Sequence, residues 1–474
     1  MIQRPPAPGK TSTHRRGACL VCVLAAAAAC GDNLAGSPDV VDLQVSPLPL
    51  TPAFTPEVTD YYLRCAAGAN PVELAITDGA GTTTTALTLA EDQLVAVRDQ
   101  YFIRCLPADF PALTVAHHPA AGTPTPGWYL VNGGAFAAIL DGHGTPVWYR
   151  RGTRVVNVSS PAPGTVAFVP DSIEFPYGVG DATAFTVLDL AAGSVRVVQT
   201  VGVPTDVHEF VARPDGNVVV LSYPLVPHVD LTGLASFGAD ETIADCEIQE
   251  LDPGGQPVWT WRASDHIDAV TESVGPLVND VAGVAVVDPF HCNAVDVDAS
   301  GDLLVSMRHA DALYYVDRAT GQVVWKLGGT PTNRDGAAHL AVVDDPQTTF
   351  ARQHDARFLP DGNVLMYDNH GGADPGVARC AEYALDVAAG TAALVWQAQG
   401  SAPSGHQGSC RRAADGATLI GWGYVPDDPR VLTELSPTGA PMFDVSLGGA
   451  VSYRAVKVPP SQFDVALLRA TAGQ

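Results

Sequence analysis

Four histidines stand at equivalent places in the sequence, each at the start of a short apolar segment with the pattern of a β-strand. Imidazoles exchange protons near neutral pH and act as nucleophiles. Several of them beside a guanidinium can hold an anion and move protons or a transferred group. Their repeated position predicts one shared site, with the alternative that each histidine only bonds to neighbouring backbone. The four are His208, His291, His354 and His406.

Further polar residues take repeated positions near these histidines. Arg379 precedes a third strand, and we expect it to bind the oxygens of an anion by charge-assisted hydrogen bonds. The others end second strands or follow a leading histidine, and we expect them, together with His208, to contact the substrate. They are Asn293, Arg308, Asp368 and Asn369.

Each leading histidine opens a repeat of strand, glycine turn, strand, longer loop, strand, glycine turn and strand. Four strands in roughly forty to fifty residues is the period of a β-propeller blade. The sequence predicts six blades, with seven possible. Four are the repeats that begin with a histidine, and a fifth is an upstream repeat without one. The sixth combines residues 128–151 with the C-terminal segments SYRAVKV and FDVALLR. Two alternative folds are a β-sandwich and a parallel β-solenoid. A solenoid would have shorter and more uniform repeats than this sequence shows.

The topology of a propeller blade predicts which residues of each repeat lie on the same face of the propeller. The first strand of each blade lines the central channel, and successive strands run antiparallel outward. Residues before the first strand, after the second and before the third therefore share one face, and the glycine turns lie on the other. We expect the four histidines and their polar neighbours to surround one mouth of the channel.

Charge and missing motifs exclude several classes of function. The net charge is −25, and such a surface repels nucleic acid and anionic membranes. The chain has no G-x-x-x-x-G-K-[ST] phosphate loop, which argues against a nucleotide donor, and neither G-x-S-x-G nor H-E-x-x-H. The long spacings between the histidines argue against a metal site. We therefore predict neither a cofactor nor a metal.

The N-terminal segment has the pattern of a targeting sequence. Residues 1–30 carry basic but no acidic side chains, and the apolar run 18–29 is too short for a transmembrane helix. The run ends in Ala-Ala-Ala-Cys, which is similar to a lipoprotein cleavage site. We expect lipidation of Cys30, export to the periplasm or cell surface, and membrane attachment only through that lipid. The alternative is cleavage of the targeting sequence near Ala29 without lipidation. We expect residues 31–38 to form a linker.

Residues 39–120 predict a small β-sandwich, because short alternating strands are broken there by Pro, Gly and a Thr run. The Gly- and Pro-rich segment 121–127 separates it from the predicted propeller, residues 127–474. Six cysteines follow Cys30, an even number that allows disulfides in an exported protein. Cys65 and Cys105 both follow an arginine after an aromatic strand, so we expect them to pair. The pairing of the other four is left open.

Two stretches resemble bacterial arylsulfotransferases of the type that works without a nucleotide sulfate donor. They are HCNAVDVDASGDLLVSMRHADALYYVDRATGQVVWKLGG, beginning at His291, and QHDARFLPDGNVLMYDNHGG, beginning at Gln353, with ARCAEYALD after it. The resemblance spans about residues 127–469 and implies a six-bladed propeller beside a small β domain. It also implies ping-pong transfer of a sulfuryl group from a phenolic sulfate ester to a phenolic acceptor through a sulfated histidine.

The resemblance also implies catalytic roles for particular residues. His406 is the positional candidate for the nucleophile, while His291, His354 and Arg379 would hold the sulfuryl oxygens and move the phenolic proton. A phenolic sulfate donor and a phenolic acceptor are the implied partners. One alternative is a non-catalytic ligand-binding propeller lipoprotein at the cell surface. Another is a propeller enzyme of a different class, such as a lyase or a quinone-dependent dehydrogenase.

Overall fold

The computed structural model describes residues 21–23, 39–172, 183–371 and 376–474. Cys30, most of the predicted targeting segment and the linker 31–38 lie outside the described residues. The chain divides into two compact units between Ala108 and Asp109. Among the described residues, no helix has the length and apolarity needed to cross a membrane.

The N-terminal unit contains two β-sheets. Its strands are β1 (Val21–Val23), β2 (Val40–Ser46), β3 (Asp60–Arg64), β4 (Asn70–Asp78), β5 (Gly81–Leu89), β6 (Leu94–Val97) and β7 (Tyr101–Leu106). One sheet has the order β1-β6-β7-β3 and the other β2-β4-β5. Alternate side chains of β4, namely Val72, Leu74 and Ile76, face an apolar core to which β2, β3, β6 and β7 also contribute. A disulfide joins Cys65 to Cys105 in this core, so the predicted pairing is confirmed.

The C-terminal unit consists mainly of short strands joined by turns. Its β-strands are β8 (Leu113–His117), β9 (Trp128–Gly133), β10 (Phe136–Leu140), β11 (Pro146–Arg151), β12 (Val156–Ser159), β13 (Thr165–Val169), β14 (Phe185–Asp189), β15 (Ser194–Val198), β16 (Thr205–Ala212), β17 (Val218–Ser222), β18 (Leu225–Val229), β19 (Glu241–Ala244), β20 (Glu247–Leu251), β21 (Pro257–Arg262), β22 (Leu277–Val281), β23 (Val284–Asp288), β24 (Cys292–Val297), β25 (Leu303–Met307), β26 (Ala312–Val316), β27 (Val323–Gly328), β28 (Ala338–Val343), β29 (His354–Phe358), β30 (Val364–Asp368), β31 (Arg379–Asp386), β32 (Thr391–Gln399), β33 (Ser409–Arg412), β34 (Thr418–Gly421), β35 (Arg430–Leu435), β36 (Pro441–Leu447) and β37 (Val456–Val458). Its helices are α1 (Ala263–His266), α2 (Ala269–Glu272) and α3 (Val465–Thr471), with 3-10 turns at Pro119–Ala121, Arg308–Ala310 and Pro460–Gln462.

These strands form antiparallel sheets that follow one another around a channel. The orders β12-β13-β14-β15, β16-β17-β20-β21 and β33-β34-β35-β36 each make one sheet, and β24–β27 and β29–β32 make two more that β28 joins. Inner strands of consecutive sheets contact each other, as β16 contacts β24 and β24 contacts β29. The last strand, β37, pairs with β9 and completes the first sheet, which closes the ring. This is the arrangement of a β-propeller.

The all-β fold class is thereby confirmed. A further sheet, β18-β19-β23-β22, is inserted among the others and contains the parallel pair β19–β23, unlike the antiparallel blades. Because of this additional sheet, the count of six blades stays a prediction, as does the assignment of the N-terminal unit as a sandwich.

Two details differ from the sequence prediction. The segment FDVALLR contains helix α3 rather than a strand, because the Asp464 side chain accepts a hydrogen bond from the backbone N–H of Ala466 and caps the helix, which buries Leu468. Strand β8 belongs to the C-terminal unit, since it pairs with β36 along its whole length. The division between the units therefore lies at 108/109 rather than after residue 120.

Candidate active site

Three of the four leading histidines lie together at the beginnings of adjoining inner strands. His208 lies in β16, His291 directly precedes β24, and His354 is the first residue of β29. The ring centroids of His208 and His291 are 5.0 Å apart, and the charges of both act on the pKa of His354. The repeat therefore brings these three imidazoles to one end of the channel.

His208 is oriented by an acidic partner on its own strand. Its Nδ1 lies 2.8 Å from both carboxylate oxygens of Asp206, so Nδ1 carries the hydrogen and Nε2 is left to meet a ligand. Its ring contacts Tyr223 and Tyr453, with centroid separations of 5.9 and 5.7 Å. Burial raises the pKa of Tyr223 well above its usual value, so this phenol remains a neutral hydrogen-bond donor.

His291 forms a second histidine–carboxylate pair. Its Nδ1 donates to Asp288 Oδ2 at 2.6 Å, and its ring lies 4.7 Å from that of His309. Burial lowers the pKa of His291 to about 3, although the Asp288 carboxylate acts in the opposite direction. Burial alone would raise the pKa of Asp288, but His309 and His291 hold it well below its usual range. The resting pair is thus a neutral imidazole bonded to a carboxylate.

Arg308 supplies the positive charge of this cluster. One of its nitrogens, Nη1, donates to His309 Nε2 at 2.7 Å, and Nη2 donates to the Gly405 carbonyl at 3.0 Å. Burial, and then the nearby charge of Arg352, lowers the pKa of Arg308 to about 10. The same guanidinium lowers the pKa of His354, which places its charge close to the imidazoles.

His354 is held as one defined tautomer. Its Nδ1 donates to Asn369 Oδ1 at 2.7 Å and to the Arg352 carbonyl at 3.0 Å. Its Nε2 accepts from the backbone N–H of Gln407 at 3.3 Å, which is longer than a strong hydrogen bond. Burial, and then the charge of Arg308, keeps the pKa of His354 well below its usual value. His354 is therefore a neutral imidazole with its lone pair on Nε2.

His406 lies outside the buried histidine cluster. Its ring is exposed and stacks on Tyr424, with centroids 5.3 Å apart and an angle of 11° between the planes. Its neighbours nevertheless reach the cluster, because the Gly405 carbonyl accepts from Arg308 and the Gln407 N–H donates to His354. The loop that carries His406 borders the site, while its imidazole points elsewhere.

Arg379 and Asp368 form a buried structural ion pair. Arg379 has no exposed surface, and all three of its nitrogens donate to protein acceptors, namely Asp345, Asp368, Gln397 and Tyr383. Asp368 also accepts the backbone N–H groups of residues 351 and 370. Because no donor of Arg379 is left over, the structure corrects its predicted role as an anion-binding group. The same contacts make Asp368 a support for Asn369 rather than a substrate ligand.

Asn293 connects the strands that carry two of the histidines. Its Nδ2 donates to the Gln353 carbonyl at 2.7 Å, directly before His354, and its own carbonyl accepts from Arg454 at 3.0 Å. Its Oδ1 is buried and has no hydrogen-bond partner among the residues that the structure describes. Asn293 thus fixes the spacing between β24 and β29.

One group of side chains has the spacing of a metal site. Ligand atoms of Asp288, His291 and His309 lie within 4.8 Å of one another. Their hydrogen bonds already account for this proximity, because His291 Nδ1 donates to Asp288 and His309 accepts from Arg308. A cation there would face the positive charge of Arg308, so these residues fit a proton-transfer pair better than a metal.

Sequence reasoning missed the two carboxylates that orient the histidines. Asp206 precedes His208 by two residues and Asp288 precedes His291 by three. An acidic residue two or three positions before these two leading histidines was the available signal. Tyr223 left no comparable signal, since it comes from the loop after β17 and reaches the Cys292 carbonyl only through the fold.

A family model covers the part of the chain that carries this site. Residues 194–446, more than half of the chain, match the model described as Arylsulfotransferase (ASST). The chain belongs to the arylsulfotransferase family. The match includes all four leading histidines and Arg308 of this arylsulfotransferase-family protein. No curated protein matches it.

Several solved structures have a distantly similar fold. One is a protein of unknown function from Bacteroides caccae, 12% identical, with a TM-score of 0.41 and covering 70% of this chain and 99% of that one. Another is the periplasmic gluconolactonase PpgL of Pseudomonas aeruginosa, also 12% identical over 70% of this chain and 99% of that one, with a TM-score of 0.38. Similarity this low carries no argument about the activity of the arylsulfotransferase-family chain.

Proposed function

We propose that the protein transfers a sulfuryl group from a phenolic sulfate ester to a phenolic acceptor through a sulfated histidine. Family membership supports the class of reaction. The observation that carries the proposal is the state of His354, a neutral imidazole whose Nδ1–H is bonded to Asn369 and whose Nε2 lone pair lies among histidines and Arg308. A group in this state can attack sulfur and form a covalent intermediate.

The geometry favours His354 over His406 as the nucleophile. His354 is buried and anchored, whereas His406 is exposed and stacked on Tyr424. In the first half-reaction, Nε2 of His354 attacks sulfur, the N–S bond forms, and the aryl O–S bond breaks with its electron pair leaving on the phenolate. The positive charge that develops on the ring is shared with Nδ1–H, which donates to Asn369 Oδ1.

Two donors are in position to stabilise the transferred group. Arg308 brings a full positive charge, because its pKa of about 10 keeps it protonated at neutral pH. The backbone N–H of Gln407 lies 3.3 Å from His354 Nε2, beside the atom that would carry sulfur. Charge-assisted hydrogen bonds from such donors stabilise oxygens on which negative charge develops.

In the second half-reaction the acceptor phenol must lose its proton. Nε2 of His291 makes no hydrogen bond to a described residue, and Asp288 stabilises the imidazolium that would form. The negative oxygens of a bound sulfuryl group also raise the proton affinity of His291. The acceptor oxygen then attacks sulfur, the N–S bond breaks, and its electron pair returns to Nε2 of His354. The proton released by the acceptor balances the one taken up by the departed phenolate.

The test is transfer from 4-nitrophenyl sulfate to phenol, with wild type compared with His354→Ala and His406→Ala. Donor without acceptor should add one sulfuryl group to a peptide containing His354, and the His406→Ala variant should retain that label. A label on His406 would overturn the choice of nucleophile. Absence of aryl release by wild type in excess acceptor would instead favour a ligand-binding protein without catalysis.

The cellular location follows from the disulfides and from the N-terminal segment. Besides Cys65–Cys105, disulfides join Cys246 to Cys292 and Cys380 to Cys410, and such bonds indicate an extracellular or periplasmic protein. We further propose a lipid anchor at Cys30, on the sequence pattern alone. Labelling of cells with radioactive palmitate tests it: the protein should carry the label, and Cys30→Ala should not.

A further inference from the structure

A cavity opens in the channel away from the histidines. It has a volume of about 240 Å³. The histidines lie at the beginnings of the inner strands, whereas this cavity is lined by later parts of the same strands, including Ala212 of β16, Asp296 of β24 and Arg411 of β33. It is smaller than the roughly 300–1,000 Å³ of pockets for drug-sized ligands, so an occupant would be small.

The floor of the cavity is a network of guanidinium and carboxylate groups. Glu209 accepts from Arg357 at 2.6 Å and from Arg454 at 2.8 and 3.1 Å. Asp355 accepts from Arg411 at 2.6 and 2.7 Å and from Arg357 at 2.9 Å. Both carboxylates are fully used by these bonds, and three guanidinium groups face two of them. Asp296 also lines the cavity and its charge acts on Arg357, so three carboxylates balance three guanidinium groups and the network carries no net charge.

Three guanidinium nitrogens of this network have no hydrogen-bond acceptor among the described residues, and one of them belongs to a partly exposed side chain. Nη1 of Arg411 bonds to no residue within the described part of the chain, and the side chain is 34% exposed. Nε of Arg357 and Nε of Arg454 are buried and have no acceptor among the residues that the structure describes. The third acid lining the cavity, Asp296, opposes an anion, although its Oδ2 accepts the backbone N–H of Phe358 at 2.8 Å. An anion would thus be held by Arg411 and repelled in part by Asp296.

The rest of the wall has a polar part, with Asn157, Ser159 and Ser160, and an apolar part. Phe210, Val211, Val456 and Val458 line the cavity next to the arginines, so a ligand with an apolar body would bury it there. We propose that this cavity binds a small organic anion, with its anionic head on Arg411 and its apolar body against these side chains. The proposal does not depend on sulfuryl transfer, because none of these residues belongs to the histidine cluster.

Calorimetric titration of the whole protein with benzoate tests the proposal, with benzamide as the neutral analogue and inorganic sulfate as an anion without an apolar body. Benzoate should bind, and Arg411→Gln should weaken it by roughly tenfold or more, since a charge-assisted hydrogen bond is lost. Asp296→Asn should tighten it roughly two- to fivefold, because an opposing charge is removed. Binding of benzamide or sulfate as tight as that of benzoate would overturn the proposed ligand class.

Two further variants locate the binding event. Arg412, the next residue on β33, bonds to Glu382 at 3.0 Å and does not line the cavity, so Arg412→Gln should leave the benzoate affinity unchanged. Arg308→Met should also leave it unchanged. Loss of binding in Arg308→Met with full binding in Arg411→Gln would place benzoate among the histidines and refute the second site, without bearing on sulfuryl transfer.

Discussion

Arg308 and Arg379 both lie at the expected end of the propeller, but replacing each by methionine should affect different properties. Arg379→Met should lower stability, whereas Arg308→Met should lower activity. Arg379 is fully buried, and its guanidinium holds Asp345 and Asp368, which are buried too. Removing one member of a buried ion pair costs about 3–5 kcal/mol, because the remaining charges lose their partner. With an m-value of about 3 kcal/mol per M, Arg379→Met should lower the urea midpoint by about 1–1.7 M.

Arg308→Met should instead remove activity while leaving the fold largely intact. Arg308 donates one bond to His309 and one to a backbone carbonyl, with no carboxylate bonded to it, so no buried charge is stranded. Loss of a donor aimed at developing negative charge costs about 10²–10³-fold in kcat.

The assay follows 4-nitrophenolate release in the presence of phenol, beside urea unfolding of the same preparations. Wild-type kcat in Arg308→Met would refute the assignment of the anion-binding arginine. Lost activity with unchanged stability in Arg379→Met would show that its buried ion pairs had been misjudged.

Three other perturbations follow from the described contacts. The pKa of His291 is about 3 in the folded protein, so below pH 6.5 the unfolded chain binds a proton at this residue that the folded chain does not, and the free energy of unfolding decreases as the pH is lowered. His291→Gln should make the dependence of that free energy on pH shallower by about 1.4 kcal/mol per pH unit between pH 6 and 4, measured by urea titrations. Equal slopes in the variant and the wild type would contradict the pKa. Asn369→Asp would place a carboxylate next to His354 Nδ1 and raise the pKa of His354 by about 1–3 units. The acid limb of the pH profile of kcat/KM should move to higher pH by the same amount. An unmoved limb would exclude His354 as the nucleophile. Replacing Cys246 and Cys292 together by alanine opens a closed loop with a sequence separation of 46 and should lower the free energy of unfolding by about 4 kcal/mol in urea titrations, whereas no loss would show that this crosslink does not constrain the unfolded chain.

The repeat in the sequence was enough to predict an all-β propeller for the C-terminal unit, but not the inserted sheet β18-β19-β23-β22. Alternating apolar residues and regularly placed glycine turns depend on local chemistry, so strand positions such as β24 and β29 were visible. The segment FDVALLR was misjudged, because its apolar residues fit a short strand as well as a helix. The Asp464 cap decided for the helix.

The positions of the site residues could be predicted only where they follow directly from the positions of the strands. His208, His291 and His354 converge because each lies at or next to the beginning of an inner strand. His406 does not join them, since its orientation depends on packing against Tyr424. The roles of Arg308 and Arg379 could not be separated from the sequence, because Asp345 reaches Arg379 from a loop 34 residues earlier.

The closure of the ring by β37 has a consequence for the order in which the protein assembles. Strand β37 pairs with β9, more than 300 residues earlier in the chain. Arg454, two residues before β37, bonds to Glu209 and to the carbonyl of Asn293. A nascent chain shorter than 454 residues therefore lacks both the strand that closes the ring and the arginine that connects β16 to β24. The histidines can reach their mutual positions only after nearly the whole polypeptide has been made, so an exported chain would complete its reactive centre late, beyond the membrane that it crosses.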